Sequence, residues 1–323
     1  MKKPSRLTGV RTRSQNKRFV KGLTLIELMV SLVIGLLLAI AASSTYLYSK
    51  QAYNAVSETS QLEENGRMAL DLLTRYVQSA GYVAINPKSA FPYGALDLKV
   101  SGCDFGMVSP QTASNDPAAL ACNATTPAGK RRSASLSVVN ETDKFDSTAA
   151  SGAAVGKLQG INCVGNGATV IPPDASKDSV ETYLVRSNFF ISSSIAATKF
   201  GTTTMGQLSC VADETVPGGL VSYQPQPLIP GVVQLAVTYL TASTLAAGAS
   251  QKAATSAALT TANAWNTVTA VDICVLTQSI QSSGNDTGVA TKDCYDADIA
   301  VVPNQTFRRF TTTVKLRNRS GGA

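Results

Sequence analysis

Two sets of residues in this 323-residue chain have types and spacing suited to chemistry: the run Lys21-Gly22-Leu23-Thr24-Leu25-Ile26-Glu27, and six cysteines beyond residue 100. Glu27 is the only charged residue from Leu23 to Ala42. A carboxylate inside an apolar run costs roughly 2.5–3.5 kcal/mol on insertion scales, so it needs a partner. Thr24 to Glu27 has the spacing of a capping box, in which hydroxyl and carboxylate satisfy amides of the first helical turn. The cysteines, Cys103, Cys122, Cys163, Cys210, Cys274 and Cys294, are even in number, and no two have the CxxC spacing of zinc, haem or redox motifs. They read as disulfides of an oxidising compartment. Of fifteen possible pairings, the expectation is neighbours in chain order, with Cys274 to Cys294 the best supported.

Other chemistries are excluded or unsupported. The chain has no histidine, which removes His metal ligation and both Ser-His-Asp and Cys-His nucleophiles. There is no nucleophile elbow or P-loop, and the one Ser-x-x-Lys spacing, Ser14 to Lys17, lies in the basic N-terminus. Asp293, Asp296 and Asp298 are clustered without the glycine-containing order of an EF-hand, and are expected in an exposed loop stapled by Cys294. No catalytic, cofactor or metal residue is expected.

The formal charge of +7 suggests nucleic acid until it is located. Residues 1–22 carry eight Lys or Arg and no acid; once they are set aside, the 28 basic residues fall to 20 against 21 acids. The body is near neutral, giving no strong nucleic-acid signal. Lys130-Arg131-Arg132 is expected to be an ordinary solvated loop.

The elements that must position these residues begin with the run from Leu23 to Ala42. As a helix it matches the ~30 Å hydrocarbon core of a bilayer, and the basic segment before it places residues 1–22 in the cytoplasm and the rest outside. Three accounts fit: an uncleaved anchor, a secretory signal peptide cut after Ala41 at Ala39-Ile40-Ala41, or a leader removed on the cytoplasmic side. No proline occurs between Pro4 and Pro87, and Ala52, Val56, Leu62, Ala69, Leu73, Val77 and Ala80 keep helical spacing. One helix over 23–80 follows, with Gly66 as a weak point and Gly81 as C-terminal cap.

Beyond residue 82 the texture is of strands and loops. Val233 to Tyr239 and Phe310 to Arg317 alternate as half-buried strands. Ser135 to Val139, Val180 to Arg186, Asn188 to Ser192 and Val271 to Thr277 are further candidates. With no second set of long helices for crossovers, the sheet should be antiparallel. Residues 242–264 are expected to be a mobile loop and 152–167 loop-like. The fold class is α+β: a long N-terminal helix, its first half hydrophobic and protruding, its second half packed on an antiparallel β-sheet head. The divisions are a leader (1–22), the helix (23–80, transmembrane over 23–45) and a β-rich head (81–323).

The sequence from Lys21 to Leu28 closely resembles the processing site of type IV prepilins: a basic leader ending in Gly, then an apolar residue, Thr, Leu, Ile and Glu. The resemblance implies cleavage after Gly22 by the prepilin peptidase, N-methylation of Leu23, and Glu27 facing the α-amino group of a neighbouring subunit's Leu23, with Thr24 capping beside it. The stretch from Leu62 to Leu73 ending Ala80-Gly81-Tyr82, the run Trp265 to Ser279, and Arg308 to Arg319 resemble PilW-type minor pilins. Asp272 stands where that family tends to have a basic residue.

What the resemblance implies is a minor pilin stored in the bacterial inner membrane, head in the periplasm, and then built into a fibre. It would take part in initiating pilus assembly, at or near the tip, supporting motility, adhesion or DNA uptake. Its partners would be other minor pilins, the major pilin, the prepilin peptidase and the inner-membrane assembly platform. The alternatives are a type II secretion pseudopilin and, from another class, a secreted enzyme or carbohydrate-binding protein.

Overall fold

A computed structural model describes residues 22, 24–83, 100–108, 120–128, 130–142, 162–165, 168–171, 182–198, 201–216, 219–222, 224–241, 252–279, 291–299 and 305–318. The chain divides into two compact units whose boundary, between Tyr53 and Asn54, falls inside the first helix.

That helix, α1, runs unbroken over Leu25–Ser79. In the first unit its side chains from Leu25 to Tyr53 are all exposed, including Leu32, Leu36 and Ile40 in the apolar run. In the second unit it becomes one-sided. Leu62, Gly66, Ala69, Leu73 and Val77 are buried, at steps of four and three residues that trace a single stripe. Gly66 does not break the helix. It is buried because the Phe310 ring lies where a Cβ would stand. The helix ends at Ser79, and in the turn that follows Gly81 has a φ of +68° that suits a residue without Cβ. α1 has no basic residue in its last turn. Instead the Asn318 amide donates at 3.3–3.4 Å to the carbonyls of Gln78, Ser79 and Ala80, satisfying acceptors that a helix end leaves over.

The strands form three antiparallel sheets among the described residues. The first has the order β1-β2-β4-β5-β6, with β3 also paired to β4 and β7 to β5. Its strands are β1 (Val100–Cys103), β2 (Ser135–Thr142), β3 (Thr169–Ile171), β4 (Thr182–Thr198), β5 (Gly201–Val216), β6 (Gly219–Ser222) and β7 (Gln226–Pro230). The second has the order β13-β10-β8-β9, formed by β8 (Val232–Thr241), β9 (Lys252–Ala254), β10 (Val268–Gln278) and β13 (Phe307–Lys315). A small ribbon pairs β11 (Thr291–Lys292) with β12 (Asp298–Ile299). Ala69, Leu73 and Val77 of α1 share one core with Leu136, Phe189 and Leu208 of the first sheet and with Leu235, Ile273, Val275 and Val314 of the second. Fully burying each such side chain is worth roughly 1.5–3 kcal/mol.

Several expectations change. The two strands expected over 180–186 and 188–192 are one, β4, because Ser187 is a buried position within the pairing with β2 rather than a break. The stretch 242–264 is not all loop: it contains β9 and the helix α2 (Ser256–Thr261). Both Asp104 carboxylate oxygens accept amides at the start of α2, from Ser256 at 3.0 Å and Ala257 at 2.9 Å, and Leu259 anchors it in the core. Residues 242–251 lie outside the described residues, as does most of 152–167, of which 162–165 form a turn. In β8 the alternation is incomplete, since Gln234 and Ala236 are buried along with Leu235, Val237 and Tyr239.

Candidate functional site

The start of α1 is built by residues at and after Thr24. The Glu27 amide donates to the Thr24 hydroxyl at 3.3 Å and the Leu28 amide to the Thr24 carbonyl at 3.2 Å, so Thr24 caps the first turn. Leu23 lies outside the described residues, and Gly22 is described and exposed. The Glu27 carboxylate is exposed and has no ion-pair partner among the described residues. Downstream, each hydroxyl of the apolar half is satisfied by its own helix. Ser31 donates to the Leu28 carbonyl, Ser43 to Ala39, and Ser44 and Thr45 both to Ala41. Such back-bonding lets hydroxyls sit in an apolar medium without unmet donors. Glu27 is therefore the one polar group of the segment that asks for an outside partner. By length and composition α1 can cross a membrane.

The six cysteines pair in chain order: Cys103 with Cys122, Cys163 with Cys210, and Cys274 with Cys294. The first closes a loop on the end of β1. The last ties β10 to the turn carrying the acidic cluster. Among the described residues the carboxylates of that cluster are not gathered into one group of three or more that could hold a metal ion. The Asp293 carboxylate accepts the amides of Tyr295 at 2.8 Å and Ala297 at 2.9 Å, and the Gln234 amide at 3.1 Å. Asp296 pairs with Arg309 at 2.7 Å. Partial burial opposes the charged form of Asp293. The hydrogen bonds from Gln234, Tyr295 and Ala297, with the charge of Arg131, outweigh it and hold the carboxyl below its ordinary value.

The basic triplet is more than a solvated loop. Arg132 lies over two rings, 4.9 Å from the centroid of Phe105 and 4.2 Å from that of Tyr295, and Arg131 lies 5.1 Å from that of Phe307. These cation–π contacts join the loops beside Cys103 and Cys294. Burial pushes the Tyr295 phenol up despite the neighbouring Arg132. Gln234 holds the same junction from inside: it donates to the Arg132 carbonyl at 2.9 Å and accepts the Cys294 amide at 2.9 Å. Its position opposite Leu235 in an alternating strand signalled a solvent-facing residue, so its role was not visible from spacing. Asp272 accepts the Thr313 hydroxyl at 2.5 Å across the β10–β13 pair. Trp265 packs edge-on to Tyr239 with centroids 4.9 Å apart.

Residues 188–318 match the family model of type IV pilus-assembly protein W. Residues 17–43 match that of the prokaryotic N-terminal methylation motif. The first match runs from within β4 to Asn318 and includes the whole second sheet; the second contains Gly22, Leu23, Thr24 and Glu27. The resemblance noted over Leu62 to Tyr82 lies outside both. No curated protein and no solved structure matches the chain. With a methylation motif and apolar helix at its start and the pilus-assembly match over its C-terminal part, the chain matches a PilW-type pilin, a type IV pilus-related protein.

Proposed function

We propose that this pilin is a minor subunit that takes part in initiating type IV pilus assembly, at or near the tip, and acts by binding rather than by catalysis. Its leader is removed after Gly22 by the prepilin peptidase and Leu23 is N-methylated. The mature helix from Leu23 is stored across the inner membrane, transmembrane over 23–45, with residues 1–22 cytoplasmic before cleavage and the head, 81–323, in the periplasm. The helix then passes into the fibre, where it packs with other minor pilins and the major pilin at the assembly platform.

The observation that carries this reading is Glu27, an exposed carboxylate in the otherwise uncharged run from Leu23 to Ala42, without an ion-pair partner among the described residues. In a lipid-like fibre core an unpaired carboxylate is costly, and the α-amino group of a neighbouring Leu23 neutralises it. Because the pair forms at only one relative height of two helices, it also fixes register between subunits. Thr24 caps the turn that presents the carboxylate, so the two roles coexist.

Glu27→Ala tests this. The variant should fractionate with membranes as the wild type does, since removing a charge makes insertion easier, while surface pili fall several-fold in cells carrying only the variant. Normal fibre numbers would contradict the role. Deletion of the whole chain should abolish pili and leave exoprotein secretion intact; the reverse pattern would identify a secretion pseudopilin.

A further inference from the structure

Where β2 leaves the first sheet, the edge of β4 is left open. Pairing between β2 and β4 runs from Thr142 opposite Tyr183 to Leu136 opposite Phe189 and stops there. The chain just before β2 crosses to the second sheet. There the Ala134 amide donates to the Leu235 carbonyl at 2.7 Å, and the Leu235 amide donates to the Ser133 hydroxyl at 3.0 Å. β4 meanwhile continues against β5 as far as Thr198. Residues Phe190 to Ser193 thus have a strand on one side only, among the described residues. Alternate residues of such an edge aim an N–H and a C=O sideways, which is a template for another strand.

This edge is one wall of a cleft of about 540 Å³, within the size range of ligand sites. The facing wall includes Phe105, Gly106, Met107 and Asn123, beside the Cys103–Cys122 disulfide. It is braced by the Asn123 amide, which donates to the carbonyls of Phe105 at 3.3 Å and Met107 at 3.0 Å. Lys130 and Arg131 also line the cleft, and its described lining contains no acid. Neither cation has an ion pair among the described residues, although Arg131 also lies over the Phe307 ring and its charge reaches Asp293. The hydroxyl of Ser192 is already engaged, 2.6 Å from that of Ser209 and 3.1 Å from the Gln207 amide. The polar groups left for a ligand are the side chains of Ser193 and Gln278, backbone groups and two positive charges. Backbone donors and acceptors at strand spacing are matched by another peptide and not by a sugar or a phosphate chain.

We propose that this cleft binds an extended acidic peptide segment of another protein, which adds a short strand along Phe190–Ser193 and sets a carboxylate against Lys130 and Arg131. Main-chain pairing supplies affinity in this mode, and the charge pocket supplies selection.

The test uses the full chain in detergent micelles and fluorescence anisotropy of short synthetic peptides in which aspartate alternates with threonine and valine. The acidic peptide should bind saturably, and its lysine counterpart should not. N-methylation at one set of alternate amides should weaken binding about tenfold or more, whereas methylation of the other set should leave it unchanged, because only one set faces β4. The double variant Lys130→Glu/Arg131→Glu should also weaken it about tenfold or more. Absence of saturable binding, equal binding of the lysine peptide, or indifference to both methylation patterns would overturn the proposal. So would binding of oligogalacturonate in the cleft with the acidic peptide excluded. The methylated peptides need no variant, so the outcome does not depend on whether the double variant folds.

Discussion

Asp293 shows how single residues are committed in this head. Its carboxylate closes the turn after Cys294 through the amides of Tyr295 and Ala297, and it meets Gln234, which also holds the Arg132 carbonyl and the Cys294 amide. Its pKa in the folded state lies below the ordinary value of 3.8. A group depressed on folding stabilises fully above its unfolded pKa, and that contribution is lost as pH falls through the folded value. Asp293→Asn should therefore be clearly less stable than the wild type in urea unfolding at pH 6, with the gap narrowing as pH drops below about 3.8; a gap constant with pH would contradict this account. Residue types alone revealed the disulfides and Glu27. They did not reveal Asp293 as a turn-former, because an acidic cluster looks the same whether it faces water, an ion or its own backbone. Arg131 and Arg132 were hidden for a like reason: the rings they cover come from residues 105, 295 and 307, which only the fold brings near.

Among the elements, α1 was the most legible, since apolar spacing and the lack of proline specify a helix without reference to anything else. The reason Gly66 sits in it was not legible. The Phe310 ring of β13 occupies the space of its missing side chain, so the glycine that sequence marks as a weak point is a place of close approach between helix and strand. Gly66→Leu should destabilise the head by about 1–3 kcal/mol through overpacking, despite the better helix propensity of leucine. Thermal unfolding of the full chain checks this, and an unchanged or raised midpoint would show that the contact is not close. Strands with strict alternation, such as residues 310–315 of β13, were recovered. The element α2 was missed because its Ala, Ser and Thr sequence has almost no hydrophobic pattern; Leu259 and the Asp104 cap set it in place. The division of β4 into two was an error of the same origin, since buried Ser187 reads as a break when burial is judged by residue type.

At the scale of the whole molecule the two family matches fall on different parts of the chain, the methylation motif over 17–43 and the pilus-assembly match over 188–318. Three disulfides lie beyond residue 100, consistent with a part of the chain that folds on the oxidising side of a membrane. The apolar half of α1 has its hydroxyls bonded within the helix and one carboxylate left over, an arrangement suited first to lipid and then to neighbouring helices. The central claim is that this start is processed as a pilin's. Intact mass and N-terminal fragment sequencing of the protein purified from its native membrane test it directly. A chain beginning at N-methylated Leu23 is the predicted result, and a chain beginning at Ala42 would show a secretory protein and contradict the account.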